Sequence, residues 1–262
     1  MAKFRGKEIT IGADPEAFGR GVDGSIASMI GRIGGDKHNP LACNSGALQE
    51  DNILAEFNID PATTPARFIK NINTVIGEMH KKISPFKLDF ISHAMFSPEF
   101  FVEAGPKAME FGCEPDYNAW TLNVNERPDS NSLMRTAAGH VHIGFAMEDE
   151  LDPFRAAILM DFYVGLPSVI LDPDGAARRS MYGQAGACRP KEYGVEYRVP
   201  SNFWLKNEGR MKWMFNSSIK AIKNLNKFTE LREKYSEDVP RIINTSDQKG
   251  AKQIMKDLGI AV

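Results

Sequence analysis

Apolar residues return every third or fourth position after Thr64-Pro65. Pro65, Ile69, Ile72, Ile76, Met79 and Ile83 line one side of a helix whose start is marked by a capping threonine and a proline. Asp152-Pro153 opens a second helix, which runs to about Leu166. A third carries Met211, Met214, Phe215, Ile219, Ile222, Leu225 and Phe228 on one side and Lys220, Lys223 and Lys227 on the other. Shorter alternating or apolar runs predict strands at 8–16, 47–59, 88–95, 98–104, 135–145 and 194–200. Gly19, Gly21, Asp23 and Gly24 mark a turn after the first strand, and Asp172-Pro173-Asp174-Gly175 marks another. The stretch 178–193, rich in glycine and polar residues, reads as a long functional loop. Strands and helices in mixed order predict an α+β fold.

The strands carry an unusual polar pattern. Residues two apart on a strand share a face, and four such pairs occur: Asp14 and Glu16, Glu56 and Asn58, His140 and His142, Glu196 and Arg198. The solvated face of an antiparallel sheet also alternates, but it mixes Lys, Thr, Ser and Gln. This set is almost wholly carboxylate and imidazole, the ligands that suit Mg²⁺ or Mn²⁺. Several carboxylates on one surface repel unless cations sit between them.

Composition narrows the class. With 262 residues, 42% apolar and 25% charged, the chain is neither disordered nor fibrous, and it is long enough to bury a core without disulfides or a structural metal. Cys43, Cys113 and Cys188 are widely spaced, with no Cys-x-x-Cys pair, which points to a reducing compartment. Lys3, Arg5, Lys7 and Glu8 precede no apolar run, so a cytoplasmic location is expected. The most apolar stretch, 156–171, is interrupted by Asp161 and Pro167, and no membrane span is expected.

Net charge is −2, yet 178–234 holds 13 Lys/Arg against 5 Asp/Glu, leaving 19 against 29 elsewhere. Arg178, Arg179, Arg189 and Arg198 lie close in sequence to Glu196, and forked guanidinium groups suit phosphate and carboxylate. Ordinary pairing with acidic neighbours such as Glu192 is the alternative role, against which their glycine-rich setting argues. Carboxylates for metals beside arginines for a phosphate describe phosphoryl-transfer chemistry. Gly31, Gly34 and Gly35 before Asp36 and Lys37 lack the ending of a P-loop. His-x-His also occurs in zinc hydrolases, but His38, His80 and His93 lie far off in sequence and read as surface or core residues. No Gly-x-Ser-x-Gly elbow is present.

Gly12-Ala13-Asp14-Pro15-Glu16, residues 51–58, 138–144, 182–186 with Arg189, and 193–198 together resemble the phage-type carboxylate–amine ligases of the glutamine synthetase and glutamate–cysteine ligase superfamily. The resemblance implies a curved antiparallel sheet forming a partial barrel, with helices outside and the site on the concave face. It implies a single domain over 1–262, with a helical segment from about 206 packed on it. It also implies Mg²⁺ held by Asp14, Glu16, Glu56, Glu196 and His140, with Mn²⁺ as a substitute. His142, Arg178, Arg179 and Arg198 would approach ATP, while Arg198, Arg189 and Glu196 carry the chemistry. Asp51 is a further metal candidate, but it has the wrong strand parity relative to Glu56 unless a bulge intervenes. The expected activity is ATP-dependent joining of a small-molecule or peptide carboxylate to an amine, in the host cytoplasm if phage-encoded. A metal-dependent hydrolase would use the same acids and His-x-His. A nucleic-acid-binding protein would use the basic helix after Lys206, against which the surrounding acidic charge argues.

Overall fold

The computed structural model describes residues 1–109, 116–126 and 132–261. Its centre is an antiparallel sheet. We label its main strands β1 (Thr10–Arg20), β2 (Leu41–Cys43), β3 (Gly46–Asp51), β4 (Leu54–Ile59), β5 (Tyr117–Asn118), β6 (Gly139–Gly144), β7 (Ala187–Lys191) and β8 (Gly194–Tyr197). Their order is β5-β7-β8-β6-β1-β4-β3-β2, with two short strands, Ile26–Ala27 and Lys87–Asp89, pairing the far end of β1. The path is open and does not close into a barrel.

Alternation gives the sheet two unlike faces. Ile11, Ala13, Ala17, Ala55, Phe57, Val141, Ile143, Val195 and Tyr197 are all buried. All but Ala17 join one core with α1 (Pro65–Ile83), α3 (Asp152–Leu171) and α5 (Glu208–Lys223). Phe68 of α1 stacks on Trp204 at 5.8 Å and meets Phe215 of α5 at 5.6 Å. Residues of the later helices, among them Leu231, Ile243 and Met255, belong to the same core. Helices thus cover the apolar face of the sheet. Lys220, Lys223 and Lys227 are exposed.

Helix α1 forms where expected. Thr64 caps it by accepting from the Arg67 N–H, and Pro65 occupies its first turn. Its most buried apolar residues are Phe68, Ile72, Val75, Met79 and Ile83, with Ile69 and Ile76 at the margin.

Several expectations need correction. The run 47–59 is a hairpin, β3 and β4, which turns at Asn52 with φ +57°, a conformation that asparagine tolerates. Segment 98–104 is helical, α2 (Pro98–Ala104): Ser97 accepts from the Phe100 N–H and Pro98 opens the first turn, so the helix-start chemistry outweighs the strand preference of Phe100-Phe101-Val102. Helix α3 continues through Pro167 to Leu171, because a π turn at Asp161–Gly165 absorbs the hydrogen bond that proline cannot make. That helix is long and apolar enough to cross a membrane by composition, but 72% of its most apolar window is buried within the protein. The long loop 178–193 contains the end of a short helix, α4 (Gly175–Arg179), and all of β7. Cys43 and Cys188 are free thiols; Cys113 lies outside the described residues.

Candidate active site

Strand register gathers the polar pairs. On β1 and β6, Asp14 pairs with His140 and Gly12 with His142. His142 is opposite Glu196 on β8, which is opposite Arg189 on β7. On the other side Glu16 is opposite Glu56, which is opposite Gln49 on β3. Directly paired residues of an antiparallel sheet project to the same face. All four sequence pairs therefore share the face turned away from the helices. A cleft there is lined by Asp14, Glu16, Glu56, His142, Glu196 and Arg198, among others. A smaller compartment adjoins it, sharing Glu16, Asp51, His140 and Arg198 and reaching to Arg135, Arg178 and Tyr182.

One half of the cleft is a cation-rich network around Glu196. Its carboxylate bonds Arg198 Nη1 and lies 3.4 Å from Arg189 Nη1 and 3.0 Å from Lys191 Nζ. Burial would raise its pKa, but Arg198, His142, Arg189 and Lys191 together hold it down at about 2. Arg198 also donates through Nε to Asp116 at 2.9 Å and through Nη1 to His140 Nδ1 at 3.2 Å. A guanidinium can only donate, so this His140 nitrogen is an acceptor. Burial, with Arg198 next, drives the His140 pKa well below the ordinary histidine value, and the ring is neutral. His142 differs: burial opposes its charge, but Asp14, with Oδ1 3.0 Å from Nε2, and Glu196 together outweigh burial and raise its pKa. Its Nδ1 meets the Tyr193 hydroxyl.

The other half is acidic. Burial, then repulsion from Asp51, pushes Glu16 up to about 8, although its carboxylate accepts from the Ala138 N–H at 2.8 Å. Burial, then Asp51, Asp14 and Glu16, raises Glu56 well above the usual range. Asp51 is raised too, chiefly by burial. Crowding and burial thus disfavour the charged form of all three carboxylates, and their all-oxygen donor set suits a hard divalent ion. Among the described residues, donor atoms of Asp14, His142 and Glu196 also lie within 4.8 Å of one another. The imidazole in that trio is His142, whereas His140 was the expected ligand.

The expected residues do not all meet. Asp14, Glu16, Glu56, His140, His142, Arg189, Glu196 and Arg198 line the main cleft. Arg178 reaches the adjoining compartment, but its guanidinium donates to the backbone carbonyls of Val199 at 2.7 Å and Arg198 at 3.2 Å. It holds the chain that carries Arg198. Gly183, at φ +74°, leaves it room, since a Cβ there would fall 1.9 Å from Arg178 Nη1. Arg179 is turned away from the cleft: it donates to Ser246 Oγ at 3.0 Å and to the Asp172 carbonyl at 3.3 Å, tying α4 to the C-terminal helices. The parity objection to Asp51 is removed by the hairpin, because Asp51 and Glu56 lie on different strands and Asp51 shares its face with Gln49. Asp116, Lys191 and Tyr193 were missed. Lys191 and Arg189, two apart on β7, repeat the spacing that marked the other pairs.

The structure is an open antiparallel sheet with helices on one face and a carboxylate, imidazole and guanidinium constellation on the other. Comparison with known families is more specific: residues 133–253, just under half of the chain, match the family model described as phage phiEco32-like COOH.NH2 ligase-type 2. The match supports a carboxylate–amine ligase. It spans His140, His142, Arg178, Arg189, Glu196 and Arg198, while Asp14, Glu16, Asp51 and Glu56 lie before it. No curated protein matches the chain.

Proposed function

We propose that the protein is an ATP- and Mg²⁺-dependent ligase that joins a carboxylate to an amine through an acyl phosphate, on a glutamine synthetase-like sheet. The observation carrying this reading is that strand register turns every polar pair onto one face, in a chain whose C-terminal half matches a COOH–NH2 ligase family.

In this reaction a substrate carboxylate oxygen attacks the γ-phosphorus of ATP and ADP leaves. The amine nitrogen then attacks the acyl carbon, inorganic phosphate departs, and the amine loses a proton. No protein nucleophile is needed. Mg²⁺, held by Asp14, Glu16, Asp51, Glu56 and Glu196, would neutralise the phosphate chain. Arg198 and Arg189 face the same space and stabilise negative charge on the transferred group. Arg198 is suited to this because Asp116, Glu196 and His140 fix its fork before substrate arrives. Neutral His140 adds no charge beside it.

The test is ADP release with MgATP across a panel of amino acids, peptides and amines. Release that requires both a carboxylate and an amine supports the ligase; turnover of a substrate without ATP supports the hydrolase instead.

A further inference from the structure

The glycine-rich segment 31–37 is not a P-loop by its sequence, and the constellation above makes no use of it. In the fold it is a built loop. Ile33 and Gly34 each donate their N–H to Glu50 Oε1 at 3.1 Å, and the Glu50 N–H returns a bond to the Gly35 carbonyl at 2.8 Å. A Cβ on Gly35 would fall 2.5 Å from the Leu48 carbonyl oxygen, so the loop can lie this close to β3 only with glycine there. Asp36 Oδ1 accepts from the N–H groups of His38 and Asn39 at 2.8 and 2.9 Å, which fixes the turn around Lys37.

These anchors bring the exposed Lys37 into the wall of the cleft, where its charge acts on the Asp51 carboxylate. Arg189 and Lys191 enter the same cleft from β7, on the other side of β8, β6, β1 and β4. Cationic side chains thus stand at both ends of an acidic floor, the arrangement that suits a long polyanion with its divalent ions lying beneath it. We propose that Lys37 is a binding residue for the phosphate chain of the nucleotide, holding it from the side opposite Arg189 and Lys191.

This rests on the nucleotide reading above. The competing role is that Lys37 only offsets the charge of Asp51, and the two differ in sign. Removing a counter-charge strengthens cation binding and leaves nucleotide binding equal or better. Removing a phosphate contact weakens nucleotide binding alone.

Calorimetric titration of wild type, Lys37→Met and Lys37→Arg with MgATP, and with Mn²⁺ in the absence of nucleotide, separates them. Lys37→Met should lose about tenfold in MgATP affinity and Lys37→Arg less than about threefold, as expected for one charge-assisted contact. Mn²⁺ binding should be unchanged or tighter in Lys37→Met. MgATP binding by Lys37→Met at wild-type strength would overturn the proposal. A parallel loss of Mn²⁺ binding would also overturn it, because the loop would then be shaping the acidic floor. Absence of MgATP binding by the wild type itself would remove the nucleotide reading and this proposal together, a different result from a wild type that binds and a variant that matches it.

Discussion

Glu16 and Glu56 stand directly opposite one another on neighbouring strands, side chains on the same face. Two carboxylates so placed cannot both ionise cheaply without a cation. Burial, then repulsion from Asp51, raises the Glu16 pKa to about 8, against 4.5 for an ordinary glutamate, and Glu16 in turn helps to raise Glu56. The folded state binds more protons than the unfolded chain between those values, so stability falls as pH rises through them. Glu56, Asp51 and His142 act with the same sign, as does Asp161 up to about 7. The depressed His140 opposes them only below its ordinary value of 6.5. In thermal scans the metal-free protein should lose melting temperature between about pH 6.5 and 8, and Mg²⁺ should restore it most at the upper end. Glu56→Gln should flatten the slope. A metal-free profile that rises over this interval would contradict the acidic cluster.

Glu196→Gln should abolish ADP formation and also weaken the fold. The substitution leaves Arg198, Arg189 and Lys191 around a neutral amide, and removing one partner of a buried ion pair costs roughly 3–5 kcal/mol. Denaturant titration gives the cost, and turnover is measured below the unfolding transition. Wild-type turnover would remove Glu196 from the chemistry.

Arg198→Lys keeps the charge but cannot bond Asp116, Glu196 and His140 with one planar fork. Phosphate transfer should fall by about 10²–10³, with a much smaller change in MgATP affinity, because the oriented donor acts mainly as charge spreads in the transition state. Single-turnover transfer compared with nucleotide affinity checks this; unchanged transfer would make Arg198 purely structural.

Behind the sheet, Asp161 accepts from Trp120 Nε1 at 2.6 Å and from the Tyr197 hydroxyl at 2.7 Å. Asp161→Ala leaves two buried donors without their acceptor, each worth roughly 1–3 kcal/mol. Chemical denaturation should show a total loss of about 2–6 kcal/mol, whereas Asp161→Asn, which keeps one acceptor, should lose less.

Signals confined to a few neighbouring residues were legible in the sequence. Thr64-Pro65 with its periodic stripe defined α1, and spacing of two identified the polar pairs before any strand order was known. Ser97-Pro98 is an equally local helix start, but Phe100-Phe101-Val102 behind it favour a strand and obscure it. The hairpin at Asn52 escaped because no Asn-Gly or Asp-Gly marks it, and Asp51 was misplaced with it. Strand order and long-range approach carry no local mark: nothing near Arg179 shows that Ser246 will take its guanidinium, and nothing near Lys37 shows that Glu50 will draw its loop to the cleft.

The central claim is transfer of a phosphoryl group to a carboxylate, and oxygen tracing tests it most directly. With the acid identified by the ADP panel and labelled with ¹⁸O in its carboxyl group, complete turnover with MgATP and amine should place one ¹⁸O in each inorganic phosphate released, because the carboxylate oxygen leaves with the phosphate. Unlabelled phosphate, or label recovered in AMP, would contradict the acyl phosphate route.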